Sequence, residues 1–202
     1  MIMDPNFIVK VLLSLIVAAA LAFAVTPLVK RLAQRVGAMD VPKDERRMHK
    51  IPIPRMGGLA IFFAFLIAVL CFAGIDRELR GILLGATIIV VLGILDDILT
   101  LKALPKFAVQ IVAAVIAVLH GLSIPITVLW IVAITNAVNF IDGLDGLAAG
   151  VSAISAGSML VVALLVPDYN SAILLAAIVG ACAGFIPYNF NPAKIFMGDT
   201  GS

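Results

Sequence analysis

The chain has 202 residues, of which 63% are hydrophobic and only 13% are charged. Soluble domains carry about 25% charged residues, so the composition excludes an ordinary soluble protein and indicates a membrane protein. It also excludes a disordered tail, a coiled coil and a disulfide-stabilised secreted module, because each of these needs more charge or more cysteine than the chain contains.

Uncharged apolar runs predict about seven membrane-spanning helices. A bilayer core about 30 Å thick requires about 20 apolar residues per helix. The uncharged stretch 107–141 is too long for one span, and His120-Gly121 with Pro125 offers a turn that divides it in two. The predicted fold is therefore all-α, a polytopic transmembrane helical bundle forming one integral-membrane domain over residues 1–202. The other predicted spans are 11–29, 56–75, 81–95, 146–167 and 171–187.

The positions of lysine and arginine predict the orientation of the bundle. Residues 30–55 hold eight of the 14 lysines and arginines, whereas the opposite side holds only Lys10, Arg77 and Arg80. By the positive-inside rule, the N-terminus is expected outside and the basic segment, the carboxyl terminus and residues 96–106 in the cytoplasm. The first apolar run is expected to be a retained span and not a signal peptide, because its cations follow the run instead of preceding it.

Polar side chains collect at the cytoplasmic ends of the predicted spans. Such groups are costly near hydrocarbon and persist when they line a wet cavity, pair with cations or hold a metal. Any one of them is equally explained as an ordinary cap or turn residue. The group as a whole favours a site, because the outer turns contribute only Asp76, Glu78 and Asp168. Its members are Asp96, Asp97, Asn136, Asn139, Asp142, Asp145, Asn189, Asn191 and Asp199.

Asn136, Asn139, Asp142 and Asp145 recur at every third position. On a helix this spacing stacks the four side chains along one stripe, which we expect to form one wall of a site. Gly143 lets the backbone turn and approach a ligand closely, as a phosphate or a flat base requires. A glycine-terminated helix followed by a capped one explains the glycine but not the register of the polar groups.

Asp96, Asp97 and Asp199 predict a site for a hard divalent cation. Neighbouring residues of a helix point about 100° apart, so Asp96 and Asp97 do not easily bind one atom, but two carboxylates and Asp199 can share a cation. Mg²⁺ fits best, because it binds through one or two carboxylates and keeps its other positions for water and phosphate. Mn²⁺ is the alternative, and no Cys/His cluster in the sequence indicates zinc.

The segment 43–58 is basic, with Arg46, Arg47 and His49 followed by prolines and the glycine pair Gly57-Gly58. Anchoring to anionic lipid headgroups is the simpler explanation. The density of arginine and histidine beside prolines and glycines favours directed binding of phosphate oxygens. An acidic cluster and a basic segment on one membrane face together predict Mg²⁺ and phosphates.

Four ordered motifs occupy residues 40–202. They are Asp40-x-Pro42…Arg46-Arg47-Met-His49…Pro54-Arg55-Met-Gly57-Gly58, Leu95-Asp96-Asp97, Asn136-x-x-Asn139-x-x-Asp142-Gly-Leu-Asp145-Gly-Leu, and Asn191-Pro192-Ala193-Lys194-Ile-Phe196-Met-Gly198-Asp199-Thr-Gly-Ser. Together they resemble the polyprenyl-phosphate N-acetylhexosamine-1-phosphate transferases. Within that family the chain looks more like the undecaprenyl-phosphate N-acetylglucosaminyl-1-phosphate transferase branch than the muropeptide translocase branch.

The resemblance implies a Mg²⁺-dependent transfer of a sugar-1-phosphate from a UDP-sugar to undecaprenyl or another polyprenyl phosphate, with release of UMP. The implied place is the cytoplasmic leaflet of the bacterial inner membrane, where this reaction starts the assembly of a cell-envelope polysaccharide. The implied partners are a UDP-N-acetylhexosamine, polyprenyl phosphate and the lipid bilayer, with no nucleic acid. A homodimer is the oligomeric state to be considered.

The resemblance also implies residue roles. Asp199 and Asp97 are the implied metal ligands, and Asp96, Asp97 and Asp142 are the implied catalytic carboxylates. Direct attack by the lipid phosphate is favoured, and a covalent aspartyl-phosphate route stays open. The implied substrate-binding residues are Arg46, Arg47, His49 and Lys106 at the phosphates, Asn139, Gly143 and Asp145 in the nucleotide pocket, Phe196 stacked on uracil with Asn189 beside it, and Asn136.

Members of this family usually continue past the Met-Gly-Asp-Thr-Gly-Ser motif, so the domain is expected to be incomplete at its C-terminus. The rival hypothesis is an ion-coupled transporter, whose broken helices also carry aspartate and asparagine. Transporter sites lie near the membrane midplane, whereas the acids of this chain fall at the ends of the predicted spans.

Overall fold

The computed structural model describes residues 5–42, 51–121, 125–166 and 168–202. Within these ranges the regular structure is helical apart from a short antiparallel hairpin of β1 (Met39–Asp40) and β2 (Ile53–Pro54). The helices are α1 (Pro5–Val36), α2 (Gly58–Phe72), α3 (Arg77–Leu99), α4 (Ala103–Leu119), α5 (Pro125–Ile141), α6 (Leu147–Leu165) and α7 (Tyr169–Asn189). The all-α prediction is confirmed, whereas Arg46, Arg47 and His49 lie outside the described residues.

Each predicted apolar run corresponds to one helix. The long run 107–141 is divided between α4 and α5, because α4 ends before His120 and Gly121 has a φ of +130°, which favours glycine. Four helices, α1, α3, α6 and α7, are long and apolar enough to cross a membrane. The helices α2, α4 and α5 are apolar but shorter, at 15, 17 and 17 residues.

Helices α1 and α7 form the centre of the bundle, with α2 against both and α6 against α7. Their backbones approach closely at Gly180 and Gly184, where a Cβ would overlap the backbone of Leu15 and Ala19. Small residues four positions apart allow such contact between helices in an apolar medium. Fully buried alanines surround the contact, namely Ala18, Ala22, Ala177 and Ala181.

The other three helices pack in series, with α3 on α4 and α4 on α5. The C-terminal ends of α3, α5 and α7 lie at the same end of the molecule as the start of α2, since the residues after α7 contact all of these places. This end therefore holds the acidic and amide side chains that the sequence placed at span ends.

Candidate active site

The segment 190–202, which follows α7, forms the floor of the candidate site. Phe196 N–H donates to the carbonyl oxygen of Pro54 at 2.8 Å. In return, Gly57 N–H donates to Phe196 O at 2.9 Å and Gly58 N–H to Met197 O at 2.8 Å. Both N–H groups of the pair Gly57-Gly58 thus bind backbone carbonyls of the segment 190–202.

The same segment lies directly against two helices. A Cβ at Gly58 would overlap the backbone of Thr200 and Gly201, and one at Gly93 would overlap the backbone of Asp199 and Thr200. Glycine is thus required by close backbone contact at these points of α2 and α3. The two contacts fix how deeply the segment enters the bundle.

Asp97 anchors the turn that carries Asp199. Its Oδ1 accepts a hydrogen bond from Asp199 N at 3.0 Å, and its Oδ2 accepts bonds from Thr200 N at 3.0 Å and from Thr200 Oγ1 at 2.6 Å. Only 6% of Asp97 is exposed. Three hydrogen bonds to one buried side chain hold the turn firmly, because a buried polar group that loses its partners costs free energy. The sequence assigned Asp97 to metal binding and catalysis, and it gave no sign of this backbone role.

Three further side chains hold the same segment. Asp142 Oδ2 accepts from Gly198 N at 3.1 Å, and Asp145 Oδ2 accepts from Ala193 N at 3.0 Å. Asn189 is buried, accepts from the N–H of Gly146 and donates to the carbonyl oxygen of Ile195. Asp145 and Asn189, which the resemblance assigns to the nucleotide, thus bind the protein's own backbone in this structure.

The predicted polar stripe is interrupted. Helix α5 ends at Ile141, so Asn136 and Asn139 lie on the helix, whereas Asp142 and Asp145 lie in the turn that follows. The turn is completed by Gly146, whose φ of +72° is a left-handed conformation that favours glycine. The expectation of one continuous helical stripe is therefore wrong, although Asn139, Asp142 and Asp145 all reach the segment 190–202.

Asp199 is the point at which helices α3, α4 and α5 meet. Lys106 Nζ donates to Asp199 Oδ1 at 2.9 Å and also binds the carboxylate of Asp96. Asn139 donates to the same Asp199 oxygen and to Ser202 Oγ. Burial acts to raise the pKa of Asp199, but the bonds from Lys106 and Asn139 outweigh it, so this pKa lies below its ordinary value. Asp199 is thus ionised at neutral pH.

A cavity of about 30 Å³ adjoins Asp199, lined in part by Lys106, Asn136 and Asn139. Its volume is close to that of one water molecule. Gln110 also lines it and accepts a hydrogen bond from Asn136 Nδ2 at 2.8 Å. Sequence reasoning missed Gln110, although it lies four residues after Lys106 and so shares its face of α4.

The remaining predicted residues have fewer described contacts. Gly143 has no atom within 4 Å of the position of a Cβ, so the space beside it is open. Phe196 is half-buried. Beside the basic segment, Arg55 Nη2 pairs with Asp40 Oδ1 at 2.9 Å across the β1–β2 hairpin. The sequence did not predict this ion pair.

The acidic residues leave negative charge that Lys106 alone does not balance. Burial raises the pKa of Asp142 to about 7, and the charges of Asp97 and Asp199 add to the effect, whereas the Gly198 N–H and Arg55 act against it. A nearby divalent cation would stabilise the ionised form of a carboxyl group in this position. The hydrogen bonds from Lys106 and Asn139 both fall on Asp199 Oδ1, and the bond from Gly198 N falls on Asp142 Oδ2.

The donor set fits Mg²⁺ better than a metal that requires many protein ligands. The described part of the chain contains no group of three His, Cys, Asp or Glu side chains arranged to hold one ion. Mg²⁺ needs only one or two carboxylates, because water and substrate phosphates complete its octahedron. Asp199 and Asp142 can supply those two, since the bonds from Lys106 and Asn139 use one oxygen of Asp199 and the bond from Gly198 N uses one oxygen of Asp142.

The family model described as glycosyl transferase family 4 matches residues 79–202. The chain belongs to this family. The match includes Asp96, Asp97, Asp142 and Asp199, so all the carboxylates that meet at the segment 190–202 lie in the part of the chain shared with glycosyl transferase family 4.

Several curated relatives of the chain are bacterial. A Bacillus subtilis (strain 168) protein named "Probable undecaprenyl-phosphate N-acetylglucosaminyl 1-phosphate transferase" is 44% identical over 215 residues, covering 96% of this chain and 60% of that protein. A Mycobacterium tuberculosis (strain CDC 1551 / Oshkosh) protein named "Decaprenyl-phosphate N-acetylglucosaminephosphotransferase" is 39% identical, covering 92% and 55%. A Desulforudis audaxviator (strain MP104C) protein named "Phospho-N-acetylmuramoyl-pentapeptide-transferase" is 35% identical, covering 95% and 73%.

These relatives confirm the family resemblance read from the four motifs. All three are named as transferases, and none supports the transporter hypothesis. Identity is higher to the two N-acetylglucosamine enzymes than to the muramoyl-pentapeptide enzyme, in agreement with the predicted branch. The chain spans about 60% and 55% of the length of the first two relatives.

Proposed function

We propose that the protein transfers N-acetylglucosamine-1-phosphate from UDP-N-acetylglucosamine to undecaprenyl phosphate or a related polyprenyl phosphate, releasing UMP. The reaction would be the first membrane step of a cell-envelope polysaccharide. One observation is the main support for this proposal. Asp97, Asp142 and Lys106 all bind the segment 190–202, which contains Asp199. Membership of glycosyl transferase family 4 and the names of the relatives support it.

Mg²⁺, with Mn²⁺ as the alternative, is proposed to bind Asp199 and Asp142. When bound, the ion would screen the repulsion between two anionic substrates and stabilise the departing UMP. Asp97, which the sequence suggested as the second ligand, is assigned instead to holding Asp199 in place, because both of its oxygens accept hydrogen bonds from the turn.

The reaction depends on positioning the two substrates and on stabilising negative charge more than on a covalent intermediate with the protein. A phosphate monoester has a second pKa near 6, so the lipid phosphate is largely a dianion at neutral pH and needs no base to become nucleophilic. Its oxygen forms a bond to the phosphorus that carries the sugar, while the bridging bond to the UMP phosphate breaks. Lys106, held between Asp96 and Asp199, is a cation within the site for the incoming phosphates.

A direct displacement is favoured over an aspartyl-phosphate route. Asp96 accepts bonds from Leu101 N and Lys106, one at each oxygen, and Asp97 accepts three bonds from the turn. A carboxylate whose oxygens are held in this way is a poor nucleophile, because attack would require it to give up those bonds.

The nucleotide is proposed to lie beside Phe196, Asn139 and the open space at Gly143. The basic cluster is proposed to meet the phosphates, and its members are Arg46, Arg47 and His49. Asp145 and Asn189 are assigned to holding the segment 190–202, since each binds its backbone. Asn136 is assigned to the small cavity through its bond to Gln110.

The arrangement in the membrane is part of the same proposal. We propose that all seven helices cross the bacterial inner membrane, with the N-terminus outside and Asp199 facing the cytoplasm. The two 17-residue helices α4 and α5 reach the lower limit of about 17 residues for a span, and the 15-residue α2 is extended by uncharged residues at its C-terminal end. The homodimer stays a prediction of the family resemblance.

The proposed function is tested by measuring UMP formation from UDP-N-acetylglucosamine in membranes that contain the chain, and in membranes that contain a version extended to the length of its relatives. Release of UMP is expected to require both undecaprenyl phosphate and Mg²⁺ or Mn²⁺. Uptake of substrate into vesicles without UMP release, or release that is unaffected by chelation of divalent ions, would overturn the assignment.

A further inference from the structure

A second cavity, far larger than the first, lies between α2 and α3 at the end of α3 away from Asp97. Its volume is about 620 Å³, within the range of about 300–1,000 Å³ typical of ligand pockets. Arg77, at this end, lies 20 residues before Asp97 on the same helix, or about 30 Å along the axis. The α2–α3 cleft is therefore separate from the candidate active site.

The cations at the mouth of the cleft are held in place without being neutralised. Arg77 donates to the carbonyl oxygen of Leu119 and Arg80 to that of Asp76, each at 3.1 Å. These bonds orient the guanidinium groups, and within the described residues the other guanidinium N–H groups have no protein acceptor. The ion pairs within the described ranges include neither arginine.

The neighbouring carboxylates are engaged elsewhere. Asp76 accepts hydrogen bonds from Leu79 N at 2.8 Å and from Asn170 Nδ2 at 2.8 Å. The side chain of Glu78 lies against Gly121. His120 also lines the cleft and donates its Nδ1–H to the carbonyl oxygen of Ile116 at 2.8 Å. The residues that line the cleft thus include two arginines and a histidine but no carboxylate, which suits an anion.

The walls below the mouth are apolar and have a definite depth. Arg77, Arg80, Leu84 and Thr87 follow one another at three- and four-residue spacing, which places them along one face of α3. Ten residues of helix span about 15 Å, which is half of a hydrocarbon core about 30 Å thick. Leu66 and Leu70 of α2 form the opposite wall. The cleft is therefore as deep as one leaflet.

We propose that the α2–α3 cleft binds an anionic phospholipid of the leaflet farther from Asp199. Its phosphate would lie on Arg77 and Arg80, because guanidinium groups bind phosphate oxygens through paired hydrogen bonds. One acyl chain would lie between Leu70 and Leu84. A membrane-crossing helix fits less well, since the cleft ends halfway through the bilayer, and a zwitterionic lipid brings no net charge to the two arginines.

The test places a fluorescent reporter in the cleft. The variant Leu84→Trp is made with Trp130→Phe, which removes the single native tryptophan of the sequence. The protein is reconstituted into vesicles in which either phosphatidylglycerol or phosphatidylcholine carries brominated, quenching acyl chains at the same mole fraction. Brominated phosphatidylglycerol is expected to quench this reporter at least twofold more strongly than brominated phosphatidylcholine does. Native Trp130 does not line the cleft, so in the unchanged protein brominated phosphatidylglycerol is expected to quench no more strongly than brominated phosphatidylcholine.

Charge variants separate a specific site from general attraction. Arg77→Gln with Arg80→Gln is expected to abolish the difference between the two lipids. Arg31→Gln with Arg35→Gln removes the same charge from exposed positions of α1 and is expected to preserve it. Leu70→Trp provides a second reporter, and circular dichroism checks the helix content of each variant.

Three results would overturn the proposal. Equal quenching by the two lipids at both reporters would mean that the cleft does not select an anion. Loss of the preference in the α1 control would mean diffuse attraction. Absence of quenching by either lipid would mean that protein, and not lipid, fills the cleft.

Discussion

At the level of single residues, the carboxylate of Asp97 accepts its hydrogen bonds from two consecutive residues, Asp199 and Thr200. The residue is buried, so each donor matters: an acceptor left without its partner costs about 1–3 kcal/mol, and more when it is charged. A carboxylate bound in this way can govern the position of Asp199 without touching a substrate.

The hydroxyl group of Thr200 tests this role. Thr200→Val keeps the shape of the side chain but removes one donor to Asp97, so the free energy of unfolding is expected to fall by about 1–3 kcal/mol. The turnover number for UMP release should fall more than the KM for the UDP-sugar rises. Thermal unfolding in detergent and steady-state kinetics measure the two effects.

The matched control is Thr26→Val. The hydroxyl of this buried residue donates to the carbonyl oxygen of Ala22, one turn earlier in α1. Stability and turnover are expected to stay close to those of the unchanged protein. Equal effects of the two substitutions would contradict an anchoring role for Asp97.

Asp199 itself is the residue on which the proposed metal site depends. Asp199→Asn removes the charge but retains the size of the side chain, and we expect UMP release to drop by about 100-fold or more, the scale on which loss of one electrostatic partner affects catalysis. Asp168→Asn, at the exposed cap of α7, serves as the comparison and should leave turnover unchanged. Near-normal turnover of Asp199→Asn would reject the metal assignment.

At the level of elements, the segment 190–202 directly contacts β2, α2 and α3 through its backbone. Backbone bonds tie it to β2 and to the start of α2, and Asp97 ties it to the end of α3. Close contacts at Gly58 and Gly93 leave no space for a side chain between the segment and these helices. The depth of Asp199 in the site is therefore a property of helix packing.

Gly93→Ala tests whether the position of Asp199 depends on its close contact with α3. The added methyl group would overlap the backbone of Asp199 and Thr200, and overpacking of this kind costs about 1–3 kcal/mol. If a cost of about 1.4 kcal/mol falls on the position of Asp199 in the transition state, kcat is expected to fall about tenfold. The helix content measured by circular dichroism is expected to stay constant.

Gly150→Ala is the natural comparison for that change. Gly150 lies in α6 and has no atom within 4 Å of the position of a Cβ. Alanine is also the better helix former, so stability should be equal or slightly higher. If this control lost as much activity as Gly93→Ala, close packing at Gly93 could not be the cause of the loss.

At the level of the whole molecule, the two polar ends of α3 are expected on opposite sides of the membrane. Asp76 caps the first turn of the helix, and Asp96 and Asp97 lie in its last turn. A helix of 23 residues is about 35 Å long, which is enough to cross the hydrocarbon core. The distribution of lysine and arginine predicts that the Asp97 end faces the cytoplasm.

Cysteine labelling tests this orientation. In a background with Cys71→Ser and Cys182→Ala, Glu78→Cys is expected to react with a membrane-impermeant maleimide in intact spheroplasts. Leu104→Cys, 83% exposed near the start of α4, should react only after permeabilisation. The reverse pattern would show that the proposed sidedness is wrong, and labelling of both positions in intact cells would contradict a membrane crossing by α3.

Much of the fold was predictable because it depends on local composition. Apolar runs gave the position of each helix, and the pair His120-Gly121 marked the break between α4 and α5. The boundaries were less predictable: the three-residue spacing of Asn136, Asn139 and Asp142 continued past the end of α5, since a period alone does not reveal where a helix ends.

The sequence by itself determined that this is a bundle of apolar helices with acidic motifs at one end, since the length of an apolar run and the position of a charge are properties of neighbouring residues. Only the tertiary structure decided which carboxylates are bound by the chain's own backbone and which bind the side chain of Lys106. Asp97 meets Asp199 across 102 positions of the chain, and no local pattern encodes that contact. The packing of α3 against the segment 190–202 creates it, because glycines there let the backbones touch.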